Sequence, residues 1–330
     1  MNPDLPINLR LACEQLLEGV VRRDLARRAG QISEAYRREL GSQGVISDQF
    51  DATAYVLTRL PATYAACLRA LVEAKAMLPE FAPTRLLDAG SGPGGSSWAA
   101  LEAWPSLGRV MQIDTNAAFL NMSTLLSRQA HIALQNAEQL RADVTTGGPW
   151  PSADLVIASY ALAEIPPARL EITLTALWAA CEGLLVVIEP GTPAGWRRML
   201  SARDHLIALD AQVIAPCPHA QACPILRKES EGDDWCHFSQ RLPRSRDHRL
   251  AKGAEVPFED EKFIYLAVSR PSVWRAEPSP RILAPPRMTK PALNAKLCCP
   301  DGRVEDRLIS RRDKPAFAKA RRLGWGDTLD

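Results

Sequence analysis

Hydrophobic residues follow two patterns in the first 270 residues of the chain: a helical spacing at the N-terminal end, and short apolar runs alternating with helical segments after it. From Leu9 to Leu40, apolar side chains recur every three or four residues, and arginines fill the opposite face of the predicted helix. The helical pattern resumes after Gly44 and ends near Pro79, with a kink or junction expected at Pro61. After residue 83, short apolar runs alternate with helical segments, which predicts a doubly wound α/β sheet.

The short apolar runs are the predicted strands of this sheet. The first begins at Leu86 and ends in a glycine-rich turn, and the others are predicted at 109–114, 154–160, 184–192, 212–215 and 261–270. Helices are predicted to open at Ser96 and to cover 117–128, 170–181 and 195–209. The strand at 184–192 is mostly apolar and partly β-branched, which is typical of a strand buried on both faces.

Composition divides the chain into three predicted parts. Residues 1–82 are predicted to form a helical cap packed on the sheet; the alternative is a lid or an RNA-facing surface that carries Arg22, Arg23, Arg37 and Arg38. Residues 83–270 are predicted to form the Rossmann-like body, with a cysteine-bearing insertion at 216–241. Residues 271–330 are rich in proline and basic side chains, which predicts an extended arm rather than a second core.

The stretch Leu86-Leu-Asp-Ala-Gly-Ser-Gly-Pro-Gly-Gly95 predicts a nucleotide site at the end of the first strand. Glycines let the backbone turn sharply and let a ligand approach closely, and the first amides of the next helix face the same crevice. The pattern Asp-x-Gly-x-Gly-x-Gly resembles the first motif of S-adenosylmethionine-dependent methyltransferases more than the Gly-x-Gly-x-x-Gly of NAD-binding proteins.

Two further acids fit this interpretation. Asp114 ends the second strand, where a carboxylate is needed for a ribose diol, and Asp143 resembles the acid that methyltransferases place near the adenine. Asp88 is expected to reach into the ligand crevice from the end of the first strand. The predicted cofactor-binding residues are Asp88, Gly90, Ser91, Gly92, Gly94, Asp114, Asp143 and Ser159.

The segment after the fourth strand contains no motif for a methyl acceptor. Many methyltransferases that act on amino groups have Asp or Asn-Pro-Pro-aromatic there, whereas this chain has Ser159-Tyr-Ala-Leu162 and a later Pro166-Pro167 pair without the aromatic. Glu164 and Tyr160 are the candidates for a base, but a helix-start acid and a packed aromatic are their expected roles. We therefore assign no catalytic residue.

Five of the eight cysteines lie after Ala215, in polar loop sequence. Four thiolates suit either Zn²⁺ or an iron–sulfur cluster, and the absence of a tight Cys-x-x-Cys hook favours the cluster. The predicted metal ligands are Cys217, Cys223, Cys236 and Cys298, with Cys299 as the alternative to Cys298. His219 and His237 are expected close to the metal, and Cys13, Cys67 and Cys181 are expected to be core thiols.

A series of motifs follows one order along the chain. They are Arg59-Leu-Pro-Ala-Thr-Tyr-Ala-Ala, the glycine-rich stretch, Ile188-Glu-Pro-Gly-Thr-Pro, Cys217-Pro-His, Trp235-Cys-His-Phe-Ser-Gln-Arg, Leu297-Cys-Cys-Pro-Asp-Gly and Trp325-Gly-Asp. Together they resemble the methyltransferase-like family tied to the small subunit of mitochondrial ribosomes, which has bacterial members. The resemblance covers nearly the whole chain. It implies a class I methyltransferase fold, a [4Fe-4S] cluster on the four cysteines, and small-subunit rRNA as a partner during assembly.

Charge and hydropathy narrow the expected partners and location. The net charge is only +2, but basic residues concentrate after residue 280, which predicts a phosphate-binding arm that the metal pins to the sheet through Cys298. The chain has no run of about 18 apolar residues and no apolar leader, so we expect no membrane partner. The expected location is the cytoplasm of a bacterium, or the mitochondrion if the source is eukaryotic.

Three functions remain open from the sequence. The first is an S-adenosylmethionine-binding, iron–sulfur-containing rRNA methyltransferase. The second is a non-catalytic assembly factor of the small subunit that retains the cofactor pocket. The third is a nucleotide-dependent oxidoreductase that uses the cluster for electrons, for which no second redox-cofactor motif is present.

Overall fold

The computed structural model describes residues 3–37, 44–226 and 234–329. Four helices precede the sheet: α1 (Ile7–Gln15), α2 (Arg22–Arg37), α3 (Gln49–Thr58) and α4 (Leu60–Met77). The run predicted from Leu9 to Leu40 is thus divided, because a turn containing Gly19 in the left-handed region separates α1 from α2. The predicted end of that run, at residues 38–43, lies outside the described residues. Pro61 lies in the first turn of α4, so the expected junction falls between α3 and α4.

The predicted doubly wound sheet is confirmed. Its order is β3-β2-β1-β4-β5-β8-β6, and β7 also pairs with β8. Strands β1 to β5 are parallel, and β8 runs antiparallel to β5, β6 and β7. The strands are β1 (Arg85–Ala89), β2 (Arg109–Asp114), β3 (Glu138–Arg141), β4 (Ala153–Ser159), β5 (Cys181–Pro190), β6 (Gln212–Ala215), β7 (Phe238–Pro243) and β8 (Phe258–Ser269).

Helices cover both faces of this sheet because the side chains of each strand alternate between two cores. Leu86, Leu155 and Leu184 pack in one core with residues of α3 to α6, and Leu87, Val156 and Leu185 pack in the other core with residues of α8 and α9. The helices are α5 (Gly95–Ala103), α6 (Ala117–Leu126), α7 (Ile132–Gln135), α8 (Leu170–Ala180), α9 (Pro193–Ala208) and α10 (Arg246–Lys252). The order of strands reverses between β1 and β4, which opens a crevice at the carboxyl ends of the strands.

The prediction of an extended C-terminal arm without a second core is wrong. A second sheet has the order β10-β11-β12, with β9 also paired to β11, and α11 follows it. Leu293, Ala295 and Leu297 alternate with polar residues, and they pack with Ala320 and Leu329 in a small core. The elements are β9 (Arg281–Ile282), β10 (Arg287–Met288), β11 (Ala292–Cys298), β12 (Val304–Ser310) and α11 (Lys314–Ala320). The abundant prolines lie between these strands rather than inside them.

In the described ranges, none of the helices has both the length and the apolar character that a membrane crossing requires.

Candidate functional site

The glycine-rich turn joins β1 to α5 with three glycines in the left-handed region: Gly90 at φ +70°, Gly92 at φ +53° and Gly94 at φ +87°. A Cβ on Gly90 would lie 2.8 Å from the Cβ of Ala161, whereas a Cβ on Gly92 would meet no atom within 4 Å. Gly92 therefore faces open space, and its amide donates to Oδ2 of Asp114 at 2.8 Å. The turn leaves room for a ligand at this position.

The crevice at the carboxyl ends of β1, β2 and β4 brings together five of the eight predicted cofactor residues. They are Gly90, Gly92, Asp114, Asp143 and Ser159, and Ser91 lines an adjoining hollow. The aromatic side chains of Tyr55 and Phe119, in edge contact at 4.9 Å between ring centres, form another wall. These aromatics, which the sequence analysis did not assign to the site, come from α3 and α6.

Two predicted cofactor residues shape the turn instead of lining the crevice. Asp88 is fully buried, and its carboxylate accepts hydrogen bonds from the hydroxyls of Ser96 and Ser97 at 2.5 to 2.9 Å. The expectation that this carboxylate reaches into the crevice is corrected: it holds the first turn of α5. Burial raises the pKa of Asp88 to about 6. A Cβ on Gly94 would lie 2.6 Å from the hydroxyl of Ser123, so Gly94 serves close packing.

Asp114 is already fixed by the backbone. Its Oδ1 accepts from the amide of Asn116 at 2.8 Å while its Oδ2 accepts from Gly92. Burial raises the pKa of Asp114, although the two hydrogen bonds favour the charged carboxylate and lower the pKa. Asp143 caps a short turn through a 2.8 Å bond from the amide of Thr145 to its Oδ1. Both carboxylates are therefore held at the rim of the crevice without a ligand.

The segment after β4 begins with Tyr160 in the left-handed region at φ +55°, a strained conformation for a side chain of this size. Its hydroxyl donates to Oε1 of Glu261 at 2.9 Å, and Arg59 lies 3.4 Å from the same oxygen. Burial, followed by the charge of Glu261, raises the pKa of Tyr160 well above its usual value. A phenol that stays protonated is a poor general base, which agrees with the packed role expected for Tyr160.

A second site lies on the far side of the sheet, between α9, β8 and the second sheet. The thiols of Cys217, Cys223, Cys236 and Cys298 line a single cavity there, and Cys299 packs instead in the small core of the second sheet. Arg203, His219 and Arg281 line the same cavity, but His237 lies outside it, stacked on Trp235 and in edge contact with Trp325. The two arginines were not assigned to the site from the sequence.

The polar groups of this cavity are incompletely satisfied. Burial raises the pKa of Cys217, Cys236 and Cys298, so these groups are neutral thiols in the absence of a metal. His219 has Nε2 at 3.4 Å from the sulfur of Cys298, while its buried Nδ1 has no partner within the described chain. Across residues 3–37, 44–226 and 234–329, no three His, Cys, Asp or Glu side chains are grouped so that they could hold a metal ion.

Comparison with known proteins gives a consistent result. The sequence profile of the family described as "Mitochondrial small ribosomal subunit Rsm22" matches residues 49–330. The "Ribosome assembly protein METTL17, mitochondrial" of Homo sapiens is 31% identical over 294 residues, which covers 83% of this chain and 61% of the human protein. The "Rsm22-cox11 tandem protein 2, mitochondrial" of Schizosaccharomyces pombe is 26% identical over 325 residues, covering 83% of this chain and 42% of the yeast protein.

This chain therefore spans less than two thirds of the length of either relative. Among solved structures, the magnesium protoporphyrin IX methyltransferase ChlM of Synechocystis, with bound SAM, aligns at a TM-score of 0.41 and 11% identity. The alignment covers 76% of this chain and 98% of that one.

Proposed function

The chain belongs to the family of mitochondrial small ribosomal subunit Rsm22 proteins, and from this premise we propose that it is an S-adenosylmethionine-binding, iron–sulfur-containing protein of small-subunit assembly. The observation that carries the proposal is the presence of two built sites in one chain, the glycine-rich crevice and the cavity lined by four cysteines. The relatives, a ribosome assembly protein and small-subunit proteins by name, support the ribosomal small subunit and its rRNA as the partner. Those names also describe the relatives as mitochondrial; the location of this chain stays a prediction.

The crevice suits S-adenosylmethionine, which supplies an electrophilic methyl group when it is bound. Asp114 would hold the ribose diol, and Asp143 would lie near the adenine. The open side of Gly92 would let the ligand approach the backbone, and Tyr55 and Phe119 would cover its apolar parts. Asp88 would act indirectly, by keeping the first turn of α5 in place.

The cysteine cavity suits a [4Fe-4S] cluster better than zinc. A zinc site usually has a tight Cys-x-x-Cys hook, which the spacing of these cysteines lacks. Four thiols that line one cavity can instead hold a cage of iron and sulfide. Cys217, Cys223, Cys236 and Cys298 would be its ligands.

Such a cluster would fasten the second sheet to the main sheet. Cys217 and Cys223 follow β6 and Cys236 precedes β7, whereas Cys298 ends β11. Metal binding would then stabilise the position of the second sheet, since site formation and folding are coupled.

The second sheet and α11 form the surface that we propose for rRNA. Of the arginines expected as an alternative RNA surface, Arg22 on α2 is bound by the carboxylate of Asp247 at 2.9 Å. Arg38 of that alternative lies outside the described residues. In the C-terminal part, exposed basic side chains form no salt bridge with any carboxylate of the described residues. They are Arg287, Lys290, Arg311, Arg312, Lys314, Arg321 and Arg322. Basic side chains left without carboxylates are available to phosphates.

A second candidate function is a non-catalytic assembly factor that retains the cofactor. The observation that favours it is the bond from Tyr160 to Glu261, because the residue after β4 is held by the protein and its phenol is not available as a base. The first candidate, an rRNA methyltransferase, would then need another base or an acceptor clamp, and Glu164, the other candidate base, lines the crevice.

Transfer of a labelled methyl group from the cofactor to small-subunit rRNA separates the two candidates. Incorporation supports the methyltransferase. Cofactor binding by titration calorimetry and intact ribosome binding, without incorporation, support the assembly factor; absence of cofactor binding contradicts both.

Metal analysis of anaerobically purified protein tests the cluster. We expect a brown protein with a broad violet-blue absorption band, and Cys223→Ser is expected to lower both iron content and stability. A colourless protein with stoichiometric zinc would contradict the cluster. Cys299→Ser is the matched control, because Cys299 packs in the small core outside the cavity and its variant is expected to keep the iron.

A further inference from the structure

The cysteine cavity contains a buried cation whose carboxylate partner is mostly exposed to solvent. Arg203 is 2% exposed and lines the cavity. Its Nη2 donates to the carbonyl oxygens of His219 at 2.9 Å and Gln221 at 2.8 Å. Its Nε is buried and has no partner in the described chain. The carboxylate of Asp204 lies 3.4 Å from Nη1, on a side chain that is 71% exposed.

The other arginine of the cavity is balanced differently. Arg281 is also buried, but its Nη1 contacts the carboxylate of Glu73 and donates to the carbonyl of Gly326, while its Nε donates to the carbonyl of Pro216. Its charge is thus neutralised on the α4 side. Arg203 has backbone carbonyls, the thiol of Cys217 and the solvated carboxylate of Asp204 around it. A buried charge whose counter-ion is solvated is costly.

We propose that Arg203 is the counter-charge of an anionic metal centre held by the four cysteines, with its unpaired Nε directed to that centre. This inference rests on the proposed function, and it assigns a role to a residue outside the ligand set. Four thiolates around a [4Fe-4S]²⁺ core leave a net negative charge that grows by one when the cluster accepts an electron. A guanidinium beside it in a water-poor cavity stabilises the more negative, reduced form most.

The same side chain also holds the loop that carries two of the ligands. Its bonds to His219 and Gln221 lie between Cys217 and Cys223 in the chain. The charge and the positioning role therefore need separate readouts. Arg203→Lys keeps the charge, and Arg203→Gln removes it while retaining donors for the carbonyls.

The matched control is Arg270→Gln. Arg270 also donates to backbone carbonyls, those of Cys181 at 2.8 Å and Trp178 at 2.7 Å, but it lies outside the cavity. All variants are made in the full chain and purified anaerobically, and iron and acid-labile sulfide are measured per chain. A reductive titration followed by electron paramagnetic resonance then gives the midpoint potential of each cluster.

In Arg203→Gln we expect the reduced-to-oxidised ratio at fixed potential to fall at least tenfold, which is about 59 mV for a one-electron couple. Arg203→Lys is expected to stay close to the wild type, and Arg270→Gln to equal it. An unchanged midpoint in Arg203→Gln with full iron content would overturn the inference while leaving the cluster intact.

Two further measurements cover the remaining outcomes. If Arg203→Gln does not fold, pulsed spectroscopy of wild-type reduced cluster labelled with ¹⁵N-arginine is expected to show a nitrogen coupling that Arg203→Lys loses; no arginine coupling in the wild type refutes the inference. If the chain holds zinc instead of iron, the cluster proposal fails separately. The inference then requires Arg203→Gln to lose zinc to a chelator at least tenfold faster than the wild type, and an equal rate overturns it.

Discussion

The crevice and the cysteine cavity differ in whether their polar groups have hydrogen-bond partners within the protein. In the crevice, Asp114 and Asp143 accept backbone amides and the buried Asp88 accepts two hydroxyls, so each carboxylate is satisfied by the protein itself. In the cysteine cavity, the Nε of Arg203 and the Nδ1 of His219 are buried without partners in the described residues. The carboxylates of the first site are satisfied before a ligand arrives, although the buried hydroxyl of Ser91 beside the crevice has no partner among the described residues. The second site has a buried cation and a buried imidazole nitrogen that a ligand could satisfy.

The difference between the two sites predicts how strongly the binding of each ligand is coupled to the folding of the chain. A pre-formed site spends little of its binding energy on ordering, so the fold should survive loss of the cofactor. A site with unsatisfied buried groups gains stability when its ligand binds, so the fold should weaken when the metal is lost. Four substitutions test this contrast.

The largest effect is expected from Cys236→Ser, because the variant removes one of the four proposed metal ligands from the cavity. We expect loss of the metal and a decrease of about 5 kcal/mol or more in the free energy of unfolding. Denaturant unfolding and metal analysis on the same samples measure it. Cofactor binding should persist in the folded fraction. A variant as stable as the wild type would contradict the coupling of this site to folding.

Gly92→Val is expected to lower cofactor affinity at least 100-fold, about 3 kcal/mol, because the side chain projects into the crevice from a residue at φ +53°. Titration calorimetry measures the affinity. Gly108→Val is the control, because a Cβ there also meets open space but lies outside the crevice. Equal affinity in both variants would reject the crevice as the cofactor site.

Asp88→Asn tests the buried carboxylate through the pH dependence of stability. The pKa of Asp88 is about 6 in the folded chain and about 4 in the unfolded chain. The folded state therefore binds the proton more tightly, and its contribution is present below about pH 4 and is lost as pH rises to about 6. The wild type should lose on the order of 2 kcal/mol more than Asp88→Asn between pH 4 and 7.

Urea unfolding at several pH values measures this difference. Glu189 also has a raised pKa, about 7, but it is present in both proteins, so the difference between them isolates Asp88. If the free energy of unfolding changes equally with pH in the two proteins, ionisation of the buried Asp88 carboxyl does not lower the stability of the fold.

The smallest effect is expected from Asp143→Asn. The amide oxygen can still accept from Thr145, so the turn is retained, but the negative charge at the rim of the crevice is removed. We expect cofactor affinity to fall about fivefold, about 1 kcal/mol, as measured by calorimetry. Asp260→Asn, on a surface pair with Arg241, should leave it unchanged. A loss as large as that of Gly92→Val would mean that the rim is not pre-formed.

Much of the main sheet could be predicted because its strands are continuous apolar runs ended by glycine or acid. The second sheet was missed because two of its strands have only two residues and prolines surround them. The alternation of Leu293, Ala295 and Leu297 with polar residues was the available signal, and it predicts a half-buried strand.

The candidate site shows the same limit. The glycines and the cysteines could be found by their motifs, whereas Arg203, Tyr55 and Phe119 come from helices distant in sequence. Spacing also does not tell which way a strand residue points. Asp88 pairs in register with Gln112, and both are fully buried, so its side chain meets α5 rather than the crevice.

Strand β8 connects the two sites, because its residues contact the surroundings of the crevice and the wall of the cysteine cavity. Its Glu261 anchors the tyrosine beside the crevice, and Ile264 and Leu266, a few residues on, form part of the wall around the thiols. A substitution that displaces β8 is therefore expected to impair both the crevice and the cysteine cavity.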